Sequence, residues 1–161
     1  GDVGEFDEHG HLRIVGRIEE LILSSAGEQI SPARIEMTLK THAPLIGQVC
    51  VIGDARPFNI ALLTLDPDEL HAFTESRRIR VRRPTHHRDV IEAVGEDVSR
   101  ANARLSAAEQ IRRFALLAGE WRPDGDELTP TMELKRSKIA QKYATTIAAL
   151  YDGSAGFVTH Y

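Results

Sequence analysis

The spacing of apolar residues divides the chain into short strand-like segments and longer helical ones. Residues 5–17, EFDEHGHLRIVGR, place apolar positions on either side of the polar segment Asp7–Gly10, and this pattern predicts a β-hairpin. The apolar run LILSS predicts a short strand that ends at a loop centred on Gly27. Ser31 and Pro32 are residue types that favour a helix N-cap and the first helical position, so a helix is predicted to begin there.

The middle and end of the chain predict a small sheet covered by helices. Three segments rich in apolar and β-branched residues predict strands, namely QVCVIGD, NIALLTLD and IRRFALLA, and the first two are apolar enough for burial on both faces. The segments DPDELHAFTES, RDVIEAVGEDVSRANARLS and KIAQKYATTIAALYD predict helices, the last of them a single helix ended by Gly153. The predicted fold class is α+β: a small, mostly three-stranded sheet with packed helices, preceded by an N-terminal β-hairpin.

Composition narrows the class of protein. The chain has 161 residues, 42% hydrophobic and 27% charged, and its net charge of −4 gives no reason to expect a nucleic-acid partner. No apolar stretch approaches the roughly 18 residues that a membrane span needs. The single cysteine, Cys50, is expected to be a buried thiol in a reducing cytoplasm. Because the chain begins without Met and without a signal-peptide pattern, we expect it to be a piece of a longer cytoplasmic protein.

Several polar segments have both a structural and a functional interpretation. Asp2 is either a turn residue or an acceptor for ribose hydroxyls. Arg17, beside Glu19 and Glu20, belongs either to a surface salt-bridge cluster or to a charged pivot that reaches a nucleotide. The loop around Gly27 either connects a strand to a helix or allows a ligand to approach the backbone.

Two basic segments also have both a structural and a functional interpretation. The segment RRIRVRR, Arg77 to Arg83, predicts either an exposed edge strand protected by charge or a patch that binds phosphate or an anionic lipid surface. Nucleic acid is disfavoured because no aromatic residues are interleaved with the arginines. The segment ELTPTMELKRSKI, residues 127–139, is either a charged capping segment or an anion site before the last helix. The histidines have no metal-ligand spacing, so we expect this chain to hold no metal.

Three segments, in this order, resemble the C-terminal domain of adenylate-forming enzymes, and they are most similar to long-chain fatty acyl-CoA synthetases. GDVGEFDEHGHLRIVGR resembles the end of the Tyr-Arg-Thr-Gly-Asp motif with its following hairpin, GRIEELILSSAGEQISPARIE resembles the hinge motif, and LTPTMELKR resembles the C-terminal lysine motif in its long-chain form. The resemblance covers nearly the whole chain. It implies a division into residues 1–18, the hairpin and the approach to the hinge, and residues 19–161, the C-terminal lid domain.

The resemblance also implies roles for residues in the first two motifs. Asp2 matches the aspartate that holds the ATP ribose, and Arg17 matches the arginine that contacts the nucleotide. Glu19 falls at the hinge position, where the small domain swings between a pose for adenylation and a pose for thioester formation. In the second pose the loop around Gly27 meets the pantetheine of CoA.

The third motif departs from the family pattern. The family lysine lies three residues before an arginine, and this spacing from Arg136 places Glu133 at the lysine position. In a shifted register Lys135 would take that position, with Lys138 three residues further on. Both registers remain open from the sequence.

The implied reaction is that of a long-chain fatty acid–CoA ligase. It uses ATP, CoA and Mg²⁺, with the Mg²⁺ held by a large N-terminal adenylation domain on the same or a separate chain. We expect the 161-residue chain to be inactive alone, since that domain carries the phosphate loop and the fatty-acid tunnel. A non-catalytic lid that binds CoA or a partner, or a degenerate remnant, remains an alternative. Peripheral contact with the inner membrane face through Arg77 to Arg83 is a further expectation.

Overall fold

The computed structural model describes residues 2–17, 20–154 and 157–158. Its strands are β1 (Asp2–Phe6), β2 (Leu12–Arg17), β3 (Ile22–Leu23), β4 (Gln29–Ile30), β5 (Ile46–Ile52), β6 (Asn59–Leu65), β7 (Ile111–Leu117) and β8 (Phe157–Val158). Its α-helices are α1 (Pro32–His42), α2 (Pro67–Arg77), α3 (Arg88–Asn102), α4 (Arg136–Lys142) and α5 (Ala144–Asp152), and Pro84–His86 forms a 3-10 turn. The predicted α+β class is confirmed.

The chain opens with the hairpin that the sequence predicts. Strands β1 and β2 pair antiparallel, from Asp2 opposite Arg17 to Phe6 opposite Leu12. The turn is closed by a 2.9 Å hydrogen bond from the Gly10 amide to the Asp7 carbonyl. Gly10 has a φ of 81°, a left-handed conformation that glycine adopts without a steric cost.

A mixed sheet forms the centre of the molecule. Its strand order is β5-β6-β7-β8, with β5 and β8 antiparallel to their neighbours and β6 parallel to β7. The three predicted strands are confirmed as seven-residue strands, and β8 adds a two-residue edge that the sequence pattern did not predict.

Burial explains the nearly continuous apolar character of β6. Ala61, Leu63 and Leu65 belong to a core shared with α1 and α3, while Ile60 and Leu62 belong to a second core with α4 and α5. Because side chains alternate between the faces of a strand, both faces of β6 are covered. Every residue of β6 is buried, so the predicted two-sided burial is confirmed for this strand.

Helices α1 and α3 begin where the sequence predicts. The Ser31 hydroxyl accepts a 3.3 Å hydrogen bond from the Arg34 amide, and Pro32 is the first residue of α1. On α3 the residues Val90, Val94, Val98 and Ala101 are fully buried, whereas Ile91 is half-buried.

The last predicted helix is in fact two helices. The chain leaves helical geometry at Tyr143, which has φ −105° and ψ 22°, and α5 ends at Gly153 with a φ of 80°. The Tyr143 hydroxyl donates to the Glu127 carboxylate at 2.7 Å and receives the Trp121 indole N–H at 3.3 Å. Helical periodicity carries no information about these long-range contacts, so the prediction of one helix was wrong.

The edge-strand interpretation of residues 77–83 was also wrong. Arg77 is the last residue of α2, and Arg78 caps the helix in the left-handed region with a φ of 55°. The Ile79 amide then bonds to the Thr74 carbonyl at 3.1 Å, which closes the helix end, and the chain runs irregularly to Pro84.

Cys50 lies on β5 with 2% of its surface exposed, as predicted for a buried thiol. Burial raises the pKa of the Cys50 thiol to about 12, with the nearby carboxylate of Glu36 adding to the effect. Among the described residues no helix is both long and apolar enough to cross a membrane.

Candidate functional site

One cavity brings together most of the predicted site residues. It has a volume of about 760 Å³ and lies between the β1–β2 hairpin, helix α1 and the loop before α4. Asp2, Arg17, Glu133 and Lys135 all line it. We call it the hairpin cavity.

The register of the hairpin accounts for the first two of these residues. Asp2 and Arg17 are directly opposite each other in the antiparallel pair, although fifteen positions separate them in the sequence. Directly opposed residues on one hairpin have their side chains on the same face. The hairpin therefore presents one carboxylate and one guanidinium side by side at the cavity.

A second segment, the 128–135 loop, supplies Glu133 and Lys135. Its ends are joined by a bridge between Leu128 and Leu134, and Leu128 is fully buried in the second core. The Thr129 amide donates to the Glu133 carbonyl at 2.9 Å, while the Thr129 hydroxyl accepts from the Glu133 amide at 3.0 Å. Met132 completes the turn with a left-handed φ of 68°. These bonds hold the backbone of Glu133 at the cavity.

The side chain of Glu133 faces the hairpin. One of its carboxylate oxygens lies 4.0 Å from an Arg17 guanidinium nitrogen, and 62% and 54% of the two side chains are exposed. Exposed pairs of this kind contribute at most about 1 kcal/mol to stability. The contact therefore shows that the Glu133 side chain lies beside the hairpin, but it contributes little to the stability of the fold.

Lys135 makes a different set of contacts. Its ammonium donates to the Gly125 carbonyl at 2.8 Å, and its amide donates to the Glu127 carbonyl at 2.8 Å. The side chain is half-buried. Lys135 therefore lines the hairpin cavity while its charged end is hydrogen-bonded to the chain that precedes the 128–135 loop.

A buried ion pair fixes the end of this loop to helix α1. Arg136 donates to the two carboxylate oxygens of Glu36 at 2.8 and 2.6 Å, and Glu36 also accepts the Val51 amide at 2.8 Å. A second carboxylate, that of Glu20, lies 3.4 Å from the Arg136 Nε. Burial alone would lower the pKa of Arg136, but its hydrogen bonds to Glu36 and the charge of Glu36 raise that pKa above its usual value.

Sequence reasoning missed this pair, although one feature pointed to it. Glu36 stands next to Ile35 and three residues before Leu39, on the apolar face of α1. A carboxylate on a buried helix face needs a partner, because an unpaired buried charge is very costly. The sequence does not reveal that the partner is Arg136.

Gly27 lies away from the hairpin cavity. It sits at the tip of the β3–β4 hairpin with a φ of 83°, and its amide donates to the Ser24 carbonyl at 3.0 Å. The Ser24 hydroxyl accepts the Ala26 and Glu28 amides at 3.3 and 3.1 Å. This loop borders a smaller cavity of about 270 Å³ whose lining includes Arg56 and Arg112.

The two remaining expectations concern the hinge residue and a bound metal. Glu19, the predicted hinge, lies outside the described residues. Across residues 2–17, 20–154 and 157–158 there is no group of three or more His, Cys, Asp or Glu side chains that could hold a metal ion.

Comparisons of the sequence with known proteins identify its family and its relatives. A family model described as the AMP-binding enzyme C-terminal domain matches residues 19–155. The chain is 39% identical over 156 residues to the long-chain-fatty-acid–CoA ligase FadD15 of Mycobacterium tuberculosis, and 35% identical over 171 residues to the long-chain-fatty-acid–CoA ligase ACSBG1 of Homo sapiens. Each match covers 94% of this chain, which spans about a quarter of the relatives' length, 26% of FadD15 and 24% of ACSBG1.

Solved structures share the fold. The A domain of a carboxylic acid reductase from Segniliparus rugosus, in complex with AMP and a co-purified carboxylic acid, matches with a TM-score of 0.74 at 21% identity. That match covers 96% of this chain and 23% of the reductase chain. The adenylation domain of a carboxylate reductase from Mycobacterium chelonae matches with a TM-score of 0.73 at 21% identity, over 94% of this chain and 22% of that one. At these identities the likeness concerns the fold.

Proposed function

Because the chain belongs to the family of AMP-binding enzyme C-terminal domains, we propose that it is the C-terminal domain of a long-chain fatty acid–CoA ligase. Such an enzyme first joins a fatty acid to the AMP part of ATP with release of pyrophosphate, and then transfers the acyl group to the thiol of CoA with release of AMP. The naming of FadD15 and ACSBG1 as long-chain ligases supports this substrate class. The observation that carries the proposal is the hairpin cavity, where Asp2, Arg17 and Glu133 meet from distant parts of the sequence.

The hairpin cavity suits a nucleotide in size and in chemistry. Its volume of about 760 Å³ falls within the usual range of small-molecule sites, roughly 300–1,000 Å³. The Asp2 carboxylate can accept hydrogen bonds from ribose hydroxyls, and the Arg17 guanidinium can donate to the nucleotide's anionic groups. We assign these two contacts to Asp2 and Arg17.

Glu133 is proposed to occupy the position of the family lysine. Two contacts support this register: the Glu133 carboxylate lies 4.0 Å from Arg17, whereas the Lys135 ammonium donates to the Gly125 carbonyl. During adenylation, negative charge builds on the reacting oxygens, and a cation there stabilises it. Loss of one such donor costs about 3–4 kcal/mol, or roughly a thousandfold in rate. A carboxylate in its place therefore slows adenylation at least that much.

The remaining parts of the ligase are assigned as follows. Residues 1–18 form the hairpin that leads to the hinge, and residues 19–161 form the lid; the family match, which begins at residue 19, supports this boundary. Glu19 is the proposed hinge, and the loop at Gly27 is the proposed contact for CoA. ATP and fatty acid bind between the lid and a large adenylation domain, which also holds Mg²⁺.

Glu133 specifically supports one alternative function, that of a non-catalytic binding lid. A lid that carries a carboxylate where the reaction needs a cation could bind CoA or a partner without catalysing adenylation. The two functions differ in one measurable property. A ligase with Glu133 retains slow fatty-acid-dependent chemistry, whereas a binding lid has none.

The test uses these residues joined to the large adenylation domain. Palmitate-dependent exchange of pyrophosphate into ATP measures adenylation, and mass spectrometry of palmitoyl-CoA measures the thioester step. We expect slow exchange that requires palmitate, and weaker exchange after Arg17→Ala. The 161-residue chain assayed alone should give no palmitoyl-CoA.

The outcomes separate the candidates. Exchange by the joined protein supports the ligase, and palmitoyl-CoA formation by the isolated chain would contradict our assignment of the phosphate loop to another domain. Absence of exchange in both the joined protein and its Glu133→Lys variant, with CoA binding retained, would replace the ligase by the binding lid.

A further inference from the structure

The segment Arg77–Arg83, which we call the arginine loop, forms a concentrated cationic surface. All five of its arginines are exposed: Arg77, Arg78, Arg80, Arg82 and Arg83. The loop starts at the last residue of α2 and then runs irregularly, so its arginines do not protect a strand edge. Another reason for five exposed cations in seven positions is therefore needed.

Charge in this protein is strongly segregated. The chain carries a net charge of −4, and since the arginine loop contributes five positive charges to that total, the rest of the chain carries −9. Within the described part of the chain, none of the five arginines has a carboxylate within 4.0 Å, although ion pairs are common elsewhere, as at Arg88 and Arg34. The Arg77 guanidinium lies 4.4 Å from the centre of the Phe73 ring, an aromatic contact that leaves its charge unpaired by a carboxylate. These charges are available to an external anion.

An apolar groove adjoins the same loop. It has a volume of about 390 Å³, and Arg82 and Arg83 line it together with Leu65, Leu70 and Leu117. A site that combines guanidinium groups with aliphatic side chains suits a molecule that is anionic at one end and apolar at the other. A free phosphate would use only the arginines.

We propose that the arginine loop docks the protein on an anionic lipid surface, with lipid headgroups at the arginines and the neighbouring groove open to an acyl chain. The acidic remainder of the chain is repelled by the same surface, which orients the loop toward it. Nucleic acid fits less well, because the loop has no aromatic residue between its arginines on which a base could stack. The proposal does not depend on the ligase assignment.

The test measures binding of the 161-residue chain to vesicles by co-sedimentation. Vesicles of phosphatidylcholine mixed with phosphatidylglycerol should bind the protein, and vesicles of phosphatidylcholine alone should not. Each basic residue near an anionic surface strengthens binding about fivefold, so the triple variant Arg80→Gln, Arg82→Gln, Arg83→Gln should bind about a hundredfold more weakly. Raising salt from about 0.1 M to about 1 M should release the wild-type protein, because the Debye length falls from about 10 Å to about 3 Å.

A matched control removes three positive charges elsewhere. Arg104, Arg122 and Lys138 are also exposed, and their replacement by Gln changes the net charge equally, so this variant should keep most of the binding. The charge-preserving variant Arg80→Lys, Arg82→Lys, Arg83→Lys should bind like wild type. Circular dichroism checks that each variant folds. The salt titration uses only the wild-type protein, so it tests the proposal even if a variant fails to fold.

Several outcomes would overturn the proposal. These are absence of wild-type binding to anionic vesicles at low salt, equal binding to neutral vesicles, equal losses in the control and the arginine-loop variants, and preferential binding of an oligonucleotide by the same arginines. Competition by inorganic pyrophosphate at low concentration would instead identify a free phosphate site and would also contradict it.

Discussion

Arg136 and Glu36 form a buried, bidentate ion pair with hydrogen bonds of 2.8 and 2.6 Å, although one hundred residues separate them in the sequence. The pair joins the first residue of α4 to the middle of α1. Because Arg136 directly follows the 128–135 loop, the pair also fixes one end of the segment that presents Glu133 to the hairpin cavity. An interaction of the core thus positions a residue of the candidate site.

Removing either partner of this pair should destabilise the protein strongly. Arg136→Met leaves the Glu36 carboxylate buried without its counter-charge, and such losses typically cost about 3–5 kcal/mol. Glu36→Gln should cost less, because Glu20 still lies 3.4 Å from the Arg136 Nε. The free energy of unfolding in urea measures the effect. The double variant Glu36→Leu, Arg136→Met should lose much less than the sum of the single losses, because no unpaired charge remains. Single losses below about 1 kcal/mol would show that the pair is not a structural anchor.

Reversing the charge at position 133 should accelerate adenylation. In the protein joined to its adenylation domain, Glu133→Lys restores a cation beside the reacting oxygens and should raise palmitate-dependent exchange roughly a thousandfold. Glu133→Gln, which only removes the negative charge, should give a smaller gain. The thioester step from added palmitoyl-AMP should change much less, because the proposed hinge motion moves the 128–135 loop away from the site before thioester formation.

Lys135→Ala is the control for the register of this motif. If Glu133 occupies the lysine position, Lys135→Ala should leave exchange within about twofold of the parent enzyme, far from the roughly thousandfold loss that follows removal of a catalytic donor. Abolition of exchange by Lys135→Ala, with no gain from Glu133→Lys, would establish the shifted register.

Two glycines in open surroundings should respond to alanine in opposite directions. A Cβ at Gly27 or at Gly95 would meet no atom within 4 Å, so sterics with neighbours do not distinguish them. Gly27 has a φ of 83°, and Gly27→Ala should destabilise by about 1 kcal/mol because an L-residue is strained there. Gly95 lies within α3, and Gly95→Ala should stabilise by about 0.5–1 kcal/mol.

Thermal unfolding of the two glycine variants measures these changes. If Gly27→Ala is neutral or stabilising, the left-handed turn at the tip of the β3–β4 hairpin is wrong. In the joined enzyme the same variant should impair thioester formation more than exchange if this loop contacts CoA, whereas Gly95→Ala should affect neither step.

Alkaline pH should weaken the fold through Cys50. Burial raises the pKa of this thiol from 9.0 to about 12, so between these values the unfolded chain loses a proton that the folded chain keeps. The contribution of Cys50 is therefore fully present below pH 9 and is lost as the pH rises toward 12. The free energy of unfolding should fall by about 1.4 kcal/mol per pH unit in this window, through Cys50 alone.

Cys50→Ala isolates this contribution. The variant should be less stable at neutral pH because a buried side chain is shortened, but its stability should fall less steeply above pH 9. Parallel pH profiles for the two proteins would show that the thiol is accessible to solvent. Slow alkylation of the native protein by iodoacetamide gives an independent check.

Local sequence patterns determined most of the framework. The hairpin follows from polar residues between two strand-like segments, helix α1 follows from Ser31 and Pro32, and the three seven-residue strands follow from their apolar composition. The pairing of Phe6 with Leu12 follows too, because the turn at Asp7–Gly10 sets the register of the residues beside it. Interactions among near neighbours are sufficient to decide all of these features.

Only the tertiary structure decided which residues that are distant in the sequence contact one another. It places the break between α4 and α5 at Tyr143, whose hydroxyl bonds to Glu127 and Trp121, and it pairs Arg136 with Glu36 inside the core. It also brings Glu133 to Arg17 across the hairpin cavity. Each contact joins residues more than fifteen positions apart, so its formation depends on how the elements pack. Neither periodicity nor residue spacing contains that information, because packing is settled by the whole core at once.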